Sequence, residues 1–226
     1  MSQLRHTYPL VLVLLLAAFP AARQATPPPP GVFERAGEVP EARPGVDSEP
    51  EAFEFEQSGF HYRVANNGAG RRTKDGAPTR LFNLRLTGGD SIARLYFSEY
   101  VNNVLLVCEV GDMESGAGFA ARLEQPSMRA RWKADFPAFN VGPPVRDGAH
   151  LYLTGVGFVA KLDLKTGKFV WKHSRLYGRA GADTFNSFGP PEVSGDEVIF
   201  RESGVRDRDA RTLHVSRKTG KILRIE

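Results

Sequence analysis

The stretch Gly157 to Lys172, GFVAKLDLKTGKFVWK, decides the fold. It holds two short runs of strand-like composition, and the turn Lys165-Thr166-Gly167-Lys168 between them suits a tight hairpin because glycine enters positive φ without steric cost. Most of it recurs: Phe158 to Trp171 (FVAKLDLKTGKFVW) returns as Arg211 to Arg224 (RTLHVSRKTGKILR) and, more weakly, as Phe119 to Trp132 (FAARLEQPSMRARW). Upstream, Phe139 to Leu153 (FNVGPPVRDGAHLYL) returns as Phe185 to Phe200 (FNSFGPPEVSGDEVIF) with one residue inserted before Gly-Pro-Pro. The tryptophans of two copies lie 39 positions apart and the Thr-Gly-Lys turns 53 apart, an excess that fits insertions around Gly178 to Ala182 and Gly204 to Ala210.

Working outward, Phe60 to Val64, Thr79 to Leu86, Val104 to Val110, Ala149 to Thr154 and Glu197 to Arg201 are short apolar runs broken by Gly, Asn, Asp or Pro, and none holds helical period for three turns. The expectation is an all-β domain. A repeat of about 40 to 50 residues with several strands in each copy is the spacing of propeller blades. The middle copy divides into strands at Pro144-Val145, His150 to Thr154, Phe158 to Leu164 and Lys168 to Lys172. The prolines of its Gly-Pro-Pro lack amide donors, which suits an edge or inner strand rather than the middle of a sheet. Phe53 to Leu86 supplies strands for an irregular fourth unit. The predicted fold is a partial or small β-propeller of about three to four four-stranded blades.

At these residues the sequence resembles the quinoprotein-type, or PQQ-like, β-propeller repeat, over about Asp90 to Glu226. The resemblance rests on Asp163, Thr166, Gly167, Lys168 and Trp171 in the middle copy, with Lys161 where the family usually has alanine. Thr219, Gly220 and Lys221 match in the last copy, where Ser216 and Arg224 replace Asp and Trp, and Trp132 matches in the first. It implies that these nine residues (Trp132, Asp163, Thr166, Gly167, Lys168, Trp171, Thr219, Gly220, Lys221) hold blades together, each tryptophan packing between neighbours with its N–H on an acceptor. The family's dehydrogenases use an adjacent cysteine pair, a carboxylate-bound calcium and a catalytic acid. Cys108 is the chain's single cysteine, and no carboxylate lies in a matching motif, so the resemblance implies the scaffold without the enzyme.

The remaining chemistry is sparse. Residues 1–25 read as a signal peptide or N-terminal anchor: Arg5 precedes the apolar run Leu10 to Ala22, which is short for a membrane span. Residues 26–51, with Pro27 to Pro30 and then Pro40, Pro44 and Pro50, read as a flexible linker, and 52–226 as the repeat domain. Net charge is +4, scattered without a basic block, which argues against a nucleic-acid partner. His61, His150, His173 and His214 lack metal-ligand spacing, and Cys108 lies in a core-like run. Asn66 to Gly70 lacks the strand and helix that aim amides at phosphate. The mixed-sign loop Arg201 to Arg211 is the conspicuous place for a protein contact. The expectation is an exported envelope protein, periplasmic or extracellular, with no catalytic residues, cofactor or metal. It binds another protein or a second copy of itself, and meets membrane only through an uncleaved N-terminus. Rival readings are a PQQ-dependent oxidoreductase-like fragment and a structural repeat that completes a propeller by oligomerising.

Overall fold

Asn103–Val110 is a strand buried along its whole length. Side chains alternate across a strand, so a continuous apolar run needs an apolar neighbour on both faces. Val104, Leu106, Cys108 and Val110 enter one core while Leu105 and Val107 enter another. That sandwiching repeats through the molecule. A computed structural model describes residues 31–38, 52–86, 90–111, 116–176, 184–206 and 208–226. The expected signal peptide, 1–25, and the insertion around 178–182 lie outside the described residues.

Eighteen strands and no helix are found among the described residues, in four antiparallel sheets. Sheet I runs in order through β3 (Ala52–Gln57), β4 (Phe60–Ala65), β5 (Ala69–Lys74) and β6 (Ala77–Asn83). Sheet II contains β7 (Ile92–Glu99), β8 (Asn103–Val110), β9 (Ala117–Glu124) and β10 (Arg129–Phe136). Sheet III contains β11 (Val145–Asp147), β12 (His150–Gly155), β13 (Phe158–Asp163) and β14 (Phe169–His173). Sheet IV contains β15 (Glu192–Ser194), β16 (Glu197–Arg201), β17 (Thr212–Ser216) and β18 (Ile222–Ile225). Each is a simple meander. The strands expected for the middle copy fall in sheet III, and Phe53 to Leu86 supplies all of sheet I but its first residue, Ala52.

Three apolar cores join the sheets in series. Phe53, Phe55, Tyr62 and Val64 of sheet I meet Leu95, Phe97, Phe119 and Leu123 of sheet II. Leu105, Val107 and Phe136 meet Leu151, Leu153, Phe158 and Leu162 of sheet III. Tyr152, Val159 and Trp171 meet Val198, Phe200, Leu213 and Val215 of sheet IV. None of these cores joins sheet I to sheet IV.

The segment expected as linker departs from that reading at residues 31–38. β1 (Gly31–Val32) pairs with β11 at the edge of sheet III, and β2 (Glu34–Glu38) pairs with β7 at the edge of sheet II. Phe33, between them, is 4% exposed and enters the core shared by those two sheets. A strap of eight residues thus covers two open edges, removing unpaired backbone groups that would otherwise face solvent. One buried aromatic ring, too little to read as a strand from sequence, anchors it.

Candidate functional site

The repeat signature forms sheet-to-sheet clamps. Arg122 and Trp132 are cross-strand partners in sheet II, as Lys161 and Trp171 are in sheet III and His214 and Arg224 in sheet IV. Arg122 Nη1 and Trp132 Nε1 both donate to the Leu164 carbonyl of sheet III, each at 3.0 Å. One unit along, Lys161 Nζ (2.9 Å) and Trp171 Nε1 (3.4 Å) both donate to the Arg217 carbonyl of sheet IV. His173 adds a contact from its Nε2 to the Gly220 carbonyl at 2.6 Å. Each indole lies on the next turn's glycine: a Cβ on Gly167 would stand 2.6 Å from Trp132 Cγ, and one on Gly220 2.5 Å from Trp171 Cγ.

The turns are held locally. Asp163 Oδ1 accepts the Thr166 amide and hydroxyl, both at 2.7 Å, and Thr166 Oγ1 accepts the Lys168 amide. Burial works against the Asp163 carboxylate, but these donors hold its pKa below the ordinary aspartate range. Ser216 Oγ and Thr219 Oγ1 repeat the pattern toward the Thr219 and Lys221 amides in sheet IV. All nine signature residues therefore sit at or beside turns and outer strands. Seven fall at the two turns of sheets III and IV and the other two are the tryptophans above them, with Lys168 and Lys221 serving through their backbone.

Two buried carboxylates that sequence reading did not single out organise the opposite end. Glu109 accepts the amides of Asn140 (2.7 Å) and Val141 (3.1 Å) and pairs with Arg94 at 3.3 Å. Glu202 accepts the amides of Asn186 (2.7 Å) and Arg211 (2.9 Å) and both the Arg208 and Arg211 guanidiniums. Burial opposes its charge, yet the two guanidiniums and two amides hold its pKa far below the glutamate range. The mixed-sign loop Arg201 to Arg211 is thereby folded around one buried acid. The only sequence signal was a glutamate amid arginines, which a solvated loop displays equally.

Between these anchored loops lies a cleft of about 350 Å³, lined among others by Arg35, Arg94, Tyr96, Asn186, Ser187 and Ser203. Tyr96 Oη and Arg94 both donate to the Val141 carbonyl, and Asn186 donates to that of Gly204. The cleft is a polar recess at loops leading into sheets III and IV, walled by the strap on one side. Cys108 does not line it and is fully buried, with burial pushing its thiol far above its usual pKa. Among the described residues, no group of three His, Cys, Asp or Glu is placed to hold a metal ion, and no helix is long and apolar enough to cross a membrane.

The molecule is an all-β protein of four serially packed antiparallel sheets. No protein-family model matches the chain, and no curated protein matches its sequence. Among solved structures it is similar to the computationally designed Ika8 protein, at 13% identity and TM-score 0.48 over 78% of this chain and 49% of that one. It is also similar to a bifunctional GH43-CE protein of Bacteroides eggerthii, at 11% identity and TM-score 0.37 over 82% of this chain and 29% of that one. The chain thus spans about half and under a third of their lengths.

Proposed function

We propose that this chain is an exported β-propeller-type module of the cell envelope that binds another protein and catalyses no reaction. The observation that carries the reading is how polar side chains are allocated. Repeat-signature residues and their neighbours are spent joining sheets, and Glu109 and Glu202 are spent on loop amides. What faces outward is a loop-lined polar cleft beside the Glu202-anchored segment, the kind of variable rim on a rigid scaffold where binding concentrates. Crosslinking in native envelopes followed by purification of the tagged chain tests it. A specific partner lost when Arg206, an exposed arginine of the Glu202-anchored loop, is replaced by Glu supports the reading, and a chain that captures nothing overturns it.

The end faces favour a self-contained array over one completed by a second copy. On sheet I the outward residues include Glu54, ion-paired to Arg63 at 3.3 Å. On sheet IV, Glu197 accepts from His214 and Arg224, each at 2.9 Å, and Arg224 pairs with Glu226 at 2.7 Å. Terminal repeats with polar outer faces are how stacked units stop. Light scattering should return a monomer, and a stable dimer at micromolar concentration contradicts this preference.

A further inference from the structure

The sheet II–III boundary holds two arginines whose hydrogen-bonding capacity the Leu164 clamp leaves wholly or partly unused. Arg122 carries its guanidinium 5.3 Å from the centre of the Tyr100 ring, and Arg146, on β11, carries its own 5.6 Å from the same centre. Both are half-buried, and both Nε atoms are sealed from solvent without an acceptor. Arg122 spends one nitrogen on the Leu164 carbonyl. Arg146 has no hydrogen bond or ion pair among the described residues, and Arg122 has no carboxylate partner. The neighbouring strap leaves room for the charge: a Cβ on Gly31 would stand 2.7 Å from Arg146 Nη2.

Buried donors are nearly always satisfied, and leaving a charged one unmet is costly. The next boundary shows what such a cluster accepts. Between sheets III and IV, Lys161 lies 5.8 Å from the centre of the Tyr152 ring, and Arg217 pairs with the Asp147 carboxylate at 2.5 Å. Cation, ring and second cation recur there with an acid among them. Burial and that acid push the Tyr152 phenol up to about 12. At the II–III boundary the cations and ring are present, and no carboxylate among the described residues joins them.

We infer that Arg122, Arg146 and Tyr100 form a binding site for a carboxylate supplied in trans by an acidic segment of a partner protein. Guanidinium forks match a carboxylate's two oxygens in plane, and the ring excludes water from one side. The inference takes the carboxylate's source from the protein-binding reading.

The test is titration of the ¹⁵N-labelled chain with N-acetyl-tetraglutamate amide at fixed ionic strength, following the arginine Nε–Hε resonances by NMR. Both Arg122 and Arg146 signals should shift saturably, and Arg146→Gln should weaken binding about tenfold or more, the loss expected for a charged hydrogen-bond pair. Arg146→Lys, which keeps the charge but not the fork, should weaken it too, and Arg71→Gln on the outer face of sheet I should not. The melting temperature without peptide should hold or rise in Arg146→Gln, whereas an arginine kept only for structure would lower it. Absence of saturable shifts, or unchanged affinity in both Arg146 variants, overturns the site. Inorganic phosphate saturating the signals while the peptide does not overturns the carboxylate assignment. Partner capture that survives Arg146→Gln sinks this inference alone, and peptide binding without any captured partner sinks only the wider reading.

Discussion

The turn position after Thr166 and Thr219 shows how one residue is chosen by its neighbour. Gly167 and Gly220 both have φ near the left-handed region, at 70° and 76°, and both lie under an indole from the preceding sheet. Met128 occupies the same place in sheet II with φ of 59°, is 3% exposed, and fills the core shared with sheet I. No tryptophan of sheet I competes for that space, so a side chain is tolerated there and used. Gly167→Ala and Gly220→Ala should each cost about 2 kcal/mol or more in chemical denaturation, from left-handed strain and displacement of the ring together. Met128→Gly should also destabilise, by emptying the core instead. Val101 makes the converse case. It sits at φ 43° in the β7–β8 turn, 68% exposed, where a β-branched residue is strained and gains no packing. Val101→Asn should raise stability by about 1 kcal/mol.

At the scale of elements, loops and strap depend on single buried anchors. Phe33→Ala should free β1 and β2 from their sheets, which hydrogen exchange at residues 31–38 and their partners in β7 and β11 would report as lost protection at a cost of about 3 kcal/mol. The Glu202 network has a definite pH signature. Its folded pKa is depressed, so the unfolded chain binds more protons as pH drops, and the stability it supplies is complete above the ordinary glutamate value of about 4.3 and is lost below it. Acid unfolding followed by fluorescence should begin at higher pH for the wild type than its neutral-pH stability alone implies, and Glu202→Gln should flatten that limb while lowering stability at pH 7. The strands themselves were legible: Val104 to Val110 reads as a core-like strand from its apolar run Val104 to Cys108. The strap was not, because Gly31 to Glu38 carries one anchoring aromatic within a proline-rich stretch, and its pairing is made entirely with residues more than fifty positions away.

Across the whole molecule, stability passes through three cores and two carbonyl clamps in series, so damage at one boundary should be felt mainly by the sheets it joins. Trp171→Ala, which opens a hole in the III–IV core and leaves the Arg217 carbonyl to Lys161 alone, should cost about 3 to 5 kcal/mol and loosen sheet IV before sheet I in hydrogen exchange. Arg224, where the repeat would have tryptophan, instead faces outward and pairs with Glu197 and Glu226. The sequence by itself determined the all-β class, the repeat and the hairpin turns, because strand alternation and turn chemistry are local and recur at fixed offsets. Only the tertiary structure decided which acids are buried, that the strap closes two edges, and that Arg122 and Arg146 share one ring. Those arrangements join residues distant in the chain, and no local pattern distinguishes a glutamate or arginine in such a place from one on a solvated loop.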